Sequence, residues 1–176
     1  MNLLLSLGIF ASVFALPDGS PLCNFNVAAM EKGMGPPSPL GYSVHVSKVD
    51  PFYNIQLVHS DTSATYQGVL MYVTSSTNPK SHLGNFTAFD TSKFKNVSPK
   101  YCVKDGVHGI DTATITHSNP SDYVVGTGTN FTWTPNAGDF DNGDLDVTFV
   151  VADLTPDNAN IKVSTWQQIL DIKIPK

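Results

Sequence analysis

Five histidines, a run of aspartates, two tryptophans and two cysteines are the side chains of this chain best equipped for chemistry, and their spacing decides which chemistry is open to them. Thr116-His117-Ser118-Asn119 sets an imidazole between two hydroxyls, the raw material of a base and a nucleophile. No Gly-x-Ser-x-Gly elbow occurs, so the common serine hydrolase signature is missing. His45, His59, His82, His108 and His117 never fall as a helical pair, and no Cys-His spacing fits a structural zinc site. A structural or surface role is expected for each. Asp139, Asp141, Asp144 and Asp146 invite calcium. A calcium-binding helix-loop-helix needs Gly at the sixth loop position and Glu at the twelfth. Counted from Asp139, those positions hold Asp144 and Val150, so that loop fails. A looser inter-strand calcium site or a solvated hairpin tip remains. Gly126-Thr127-Gly128 lacks the third glycine and the lysine of a phosphate loop, and it precedes a strand rather than a helix. The expectation is a chain with no catalytic residues, no resident metal and no cofactor.

The aromatic and covalent candidates point elsewhere. Trp133 lies inside Phe131-Thr132-Trp133, a strand pattern, and is expected in the core. Trp166 is a candidate platform for stacking a carbohydrate ligand, with core packing as the competing role. Cys23 and Cys102 are the two cysteines, and in an oxidising compartment they most simply form one disulfide; two buried thiols are the alternative. Three Asn-x-Ser/Thr sequons, at Asn85, Asn96 and Asn130, are candidate N-glycosylation sites. Pro99 follows the second closely, and the third is expected to be shielded by its neighbouring core strand.

The compartment is read from the N-terminus. Leu3 to Phe14 is almost wholly apolar, too short to span a bilayer, and ends in small residues that suit cleavage after Ala15. A histidine-led copper mono-oxygenase is disfavoured, because that cleavage exposes Leu16. Residues 1–15 are expected to be a signal peptide and residues 16–176 one secreted, extracellular domain, with no membrane span. The net charge of −5 argues against nucleic acid and anionic membranes, which need a basic patch. Charged residues make up 14%, against about 25% in an average domain, so Ser, Thr and Asn must supply much of the surface polarity.

The elements that would position these residues are mostly strands. Tyr42, Val44 and Val46 alternate with Ser43, His45 and Ser47, and Tyr53, Ile55 and Leu57 alternate with Asn54 and Gln56. Tyr66 to Thr74 is nearly continuous in β-formers, as a strand buried on both faces would be. Asp141-Asn142-Gly143-Asp144 signals a hairpin turn before a strand from Leu145 to Ala152. Residues 16–41 read as coil, and residues 91–109 as a long loop carrying Cys102. No sustained helical period is present. The fold class is all-β, an immunoglobulin-like antiparallel β-sandwich of about seven to nine strands.

From Cys23 to about Ala152 the chain resembles the Reeler, or reelin-type, domain family. The pieces occur in order: Gly19-Ser20-Pro21-Leu22-Cys23 with Met30 downstream, Pro39-Leu40-Gly41-Tyr42, Tyr66-Gln67-Gly68-Val69-Leu70-Met71, Gly84-Asn85-Phe86, and Cys102. The most specific pieces follow: Thr116-His117-Ser118-Asn119, Phe131-Thr132-Trp133-Thr134-Pro135, and Gly143 to Val151. The Cys102 to Thr116 spacing is longer and richer in glycine than the family pattern. The resemblance implies an extracellular immunoglobulin-like sandwich. It also implies a non-enzymatic module that binds microbial or cell-surface glycans or lipids, as some stand-alone members do; it transfers no ligand residues. A matrix or cell-wall protein-interaction domain is the alternative. An unrecognised secreted hydrolase or metal enzyme is the third reading.

Overall fold

The computed structural model of the chain describes residues 19–119, 121–156 and 162–176. The expected signal peptide, residues 1–15, lies outside them. Helix α1 (Val27–Met34) comes first, then β1 (Tyr42–Val49), β2 (Phe52–His59), β3 (Thr65–Tyr66), β4 (Gly68–Ser75), β5 (Asn78–His82) and β6 (Asn85–Ala88). After these come β7 (Phe94–Asn96), helix α2 (Pro99–Asp105), β8 (Thr114–His117), β9 (Tyr123–Val124), β10 (Thr129–Thr134), β11 (Leu145–Pro156) and β12 (Lys162–Lys173).

The strands form an antiparallel β-sandwich. One sheet has the order β1-β2-β10-β6; the other runs β12-β11-β4-β8-β7, with β5 paired to β4. The described residues hold twelve strands rather than seven to nine, because the long alternating runs are joined by two- and three-residue pieces such as β3, β7 and β9. Alternation explains what each strand buries. Tyr53, Ile55 and Leu57 of β2 face inward with Phe131 and Trp133 of β10. They meet Val69, Met71 and Val73 of β4 and Phe149 and Val151 of β11. The Phe131 ring stands edge-on to Phe94 and Phe149, at 4.8 and 6.0 Å. Trp133 donates from Nε1 to the Leu83 carbonyl at 3.0 Å. Its ring lies so close to Gly84 (φ +61°) that a Cβ there would stand 2.4 Å from it.

Strand β4 is buried at every position. Its second face carries Leu70 and Tyr72, which pack with Val150 and Trp166 beneath residues of the N-terminal segment and α2. The six-stranded sheet is therefore the middle layer of three, which accounts for its unbroken apolar sequence.

At one corner the two sheets are tied by a side chain. Gln167 of β12 accepts from the Leu40 and Tyr42 amides at 3.0 and 3.2 Å, and donates to the Tyr42 carbonyl at 2.8 Å.

Three expectations are corrected. The coil of residues 16–41 contains α1, capped by Asn26, whose Oδ1 accepts from the Ala29 amide at 3.0 Å. The long loop of residues 91–109 contains β7 and α2, and Cys102 sits on that helix. The Asp141–Asp144 turn is no hairpin: β10 and β11 lie in different sheets, and a 3-10 turn, Asp139–Asn142, carries the chain between them.

Candidate functional site

The N-terminal segment is fastened across the outer face of the six-stranded sheet by polar groups with separate anchors. The Ser20 amide donates to Thr116 Oγ1 at 2.8 Å, and that hydroxyl donates to the Val69 carbonyl at 3.0 Å. Cys23 is joined to Cys102 by a disulfide. The Cys23 and Asn24 amides both donate to Asp105 of α2, at 2.8 and 3.2 Å. The Tyr72 hydroxyl donates to Asn24 Oδ1 at 2.8 Å and accepts from the Phe25 amide at 3.0 Å. Beyond α1, Trp166 Nε1 donates to the Gly35 carbonyl at 2.8 Å, which fixes the far end of the helix on β12.

Between this covering layer and the sheet lies an apolar pocket of about 180 Å³. Its floor includes Gly68 and Leu70 of β4 with Val150 and Ala152 of β11; Met30, Gly33 and Met34 of α1 roof it. Gly19 to Leu22 form one wall, where His117 also stands. The gap has a local cause. Farther along the same face Tyr72 and Trp166 fill the layer, whereas at this end the facing positions are Gly68, Ala152, Ala29 and Gly33, too small to close it. A dry apolar cavity of about 150 Å³ holds a benzene-sized molecule. The space is that of one small apolar group, and smaller than the roughly 300 Å³ or more of a drug-sized site.

Beside the disulfide sits a second buried polar cluster. His82 is 3% exposed and stacks on Tyr72 with ring centroids 3.9 Å apart. Its Nδ1 lies 2.6 Å from Thr114 Oγ1, and its Nε2 is buried with no hydrogen-bond partner. Thr114 Oγ1 also lies 3.7 Å from Cys23 Sγ. Burial pushes the His82 imidazole down to about 4, so it is neutral at ordinary pH. Burial likewise raises the Tyr72 phenol, and takes Tyr66 up to about 12.

The residues singled out in the sequence are scattered over these features. Thr116 and His117 come to the pocket and the latch above it. Asn119 exchanges hydrogen bonds with the Tyr123 hydroxyl, its carbonyl accepting at 2.6 Å. Ser118 donates its amide to the Lys93 carbonyl at 2.7 Å. Phe131 and Trp133 are buried core, and Pro135 follows the end of β10. Trp166 is 2% exposed and packs edge-on against Phe25 at 5.5 Å, so its ring is not a stacking platform for a sugar; the second apolar layer claims it.

The aspartate run is pulled apart by other partners. Asp139 is buried and accepts from the Asn136 amide at 2.7 Å. Asp146 pairs with Lys173, and Asp144 with Lys176 at 3.6 Å. Among the described residues there is no group of three or more His, Cys, Asp or Glu placed to hold a metal ion. The histidines are dispersed as well. His45 and His108 are exposed, and His59 bridges the Leu40 carbonyl at 3.2 Å and the Asp61 backbone.

Of the sequons, Asn130 is the exposed one: Phe131 turns into the core, so its neighbour turns out, contrary to the expected shielding. Asn85 is half-buried and held by Asn136 and Thr112 at 2.8 and 2.6 Å. Asn96 is half-buried on β7, with Oδ1 enclosed.

No protein-family model matches the chain, and no curated protein matches it. Among solved structures the chain is similar to the human F-spondin reeler domain (fragment 1). The TM-score is 0.47 and the identity 14%, over 73% of this chain and 86% of that one.

The pocket was the part the sequence reading missed. Met30 and Met34 stand four residues apart between a capping Asn26 and Gly35, the signature of a short helix with one apolar edge.

Proposed function

We propose that this chain is a secreted, non-enzymatic recognition domain of Reeler type, and that it holds the apolar part of a microbial or cell-surface lipid in the pocket under α1. The pocket carries the reading. A sugar site would use exposed rings, but both tryptophans are buried and, among the described residues, the exposed large hydrophobics are aliphatic, such as Val27 and Leu170. The extracellular setting is supported by the disulfide and by the apolar leader before Ala15. The non-enzymatic part is supported by the dispersal of the histidines over separate elements.

Expressed through a secretory pathway, the protein is expected to begin at Leu16 and to carry glycan at Asn130 before Asn85 or Asn96. N-terminal sequencing and peptide mass mapping check both; a retained leader, or an unmodified Asn130 beside a modified Asn96, contradicts this.

The ligand reading is tested by sedimentation with lipopolysaccharide and with the same polysaccharide after deacylation. Binding is expected only to the acylated form. Equal binding to both, or a preference for the bare sugar, overturns the lipid assignment.

A further inference from the structure

We infer that the pocket takes the end of one saturated, unbranched acyl chain, about six to eight carbons of it, an inference that rests on the pocket being an apolar-group site. The volume sets the length. About 180 Å³ is slightly more than the roughly 150 Å³ that receives a six-carbon ring.

The walls set the shape. Among the described residues no Phe, Tyr or Trp lines the pocket, so a ring ligand would find none of the edge-to-face partners that rings favour. Leu70, Val69, Val150, Met30 and Met34 supply aliphatic surface. The two methionines are unbranched and adapt to a flexible chain. Opposite them the floor is low: Gly68 has no side chain, the Ala152 Cβ on the next strand is 3.6 Å from where its Cβ would stand, and the edge of the His117 ring closes that end at 3.0 Å. Among the described residues Ser20 and His117 are the polar side chains that line it, Ser20 in the N-terminal segment and His117 against Gly68 of the floor. A low aliphatic floor, ended by His117 and lying under two pliable side chains, fits one extended chain.

The chain carries its own reporters. Of its four methionines, Met30 and Met34 line the pocket, Met71 is fully buried in the main core, and Met1 precedes the expected cleavage site. Protein with ¹³C-labelled methionine methyls is titrated with straight-chain fatty acids of increasing length, and with cyclohexanecarboxylate and benzoate.

The Met30 and Met34 signals are expected to move while Met71 stays fixed. Affinity should climb about fourfold per methylene up to about eight carbons and then level off. Gly33→Phe should weaken binding more than tenfold, because Gly33 lines the pocket and a Cβ there meets no atom within 4 Å, so a phenyl ring is free to take up the space the chain needs. An unchanged Met71 signal reports that this variant is folded; Ala29→Leu serves if it is not.

If no probe moves Met30 and Met34, the pocket is not an apolar site and the proposed function fails with the inference. If probes bind but the ring compounds bind better, or affinity keeps climbing past twelve carbons, or Gly33→Phe binds normally, the acyl-end assignment alone is overturned.

Discussion

Replacing Cys23 and Cys102 together by alanine is expected to lower the stability of the domain by about 4 kcal/mol. The bridge joins residues 79 apart. Closing a loop of that length removes enough freedom from the unfolded chain to supply about 4–5 kcal/mol on the chain-entropy account. The native state loses less, because the Cys23 N–H also donates a hydrogen bond to the Asp105 carboxylate and its neighbours Ser20 and Asn24 are hydrogen-bonded to Thr116 and Tyr72. Reversible urea unfolding of the oxidised protein and the double-alanine variant measures the difference. A loss under 1 kcal/mol would mean that the unfolded chain is already confined near this contact, and would refute the estimate.

His82→Gln is expected to remove a pH dependence amounting to about 3 kcal/mol between pH 4 and pH 6.5. In the folded protein the imidazole is held at about 4, below its ordinary 6.5. Between those values the unfolded chain binds the proton and the folded one does not, so stability falls as the pH drops. The contribution is complete above about pH 6.5, declines through the window and is lost by about pH 4. The gap is worth about 3 kcal/mol at about 1.4 kcal/mol for each tenfold change in proton affinity.

The geometry explains why the folded state refuses the proton. A charged ring carries N–H at both nitrogens, so one must sit at Nε2, which is buried without a partner, while the ring lies flat on Tyr72. Asp105 holds the Cys23 and Asn24 amides, and His108 is exposed; neither shifts the ring, which burial alone depresses. Asp61 and Asp90, lowered mainly by hydrogen bonds from Ser63 and Ser92, add acid sensitivity at lower pH in both proteins. Melting temperatures of the two proteins across pH 3 to 8 give the comparison. Parallel profiles through pH 4 to 6.5 would rule out His82 as the source.

The two-sheet core was legible because its strands obey a strict two-residue period. Tyr53-Ile55-Leu57 and Phe131-Trp133 show which face is inward without any tertiary knowledge. The unbroken run of β4 also announced a strand covered on both sides, though not what covers it. That cover was invisible for a physical reason. An eight-residue helix has room for little more than one apolar pair, and Met30 and Met34 sit among Gly and Pro that normally signal coil. The second helix did leave a mark, Pro99 at its start and Gly106 after its end, the asymmetry expected of helix termini. The Asn-Gly turn misled because a 3-10 turn uses the same residues, and whether the next strand returns to the same sheet is a tertiary matter.

The Gln167 amide at the corner of the two sheets bears on how this protein behaves beside copies of itself. An unpaired strand edge is a template on which another chain can grow by adding a strand. At Leu40 and Tyr42 that template is already occupied: the glutamine side chain takes both amides and the Tyr42 carbonyl, as a neighbouring strand would. The rest of β1 presents Ser43, His45, Ser47 and Lys48 to solvent, a polar and charged border that discourages docking. One side-chain amide thus blocks one end of an open sheet edge, protection against edge-to-edge aggregation that a domain working at high local concentration would need.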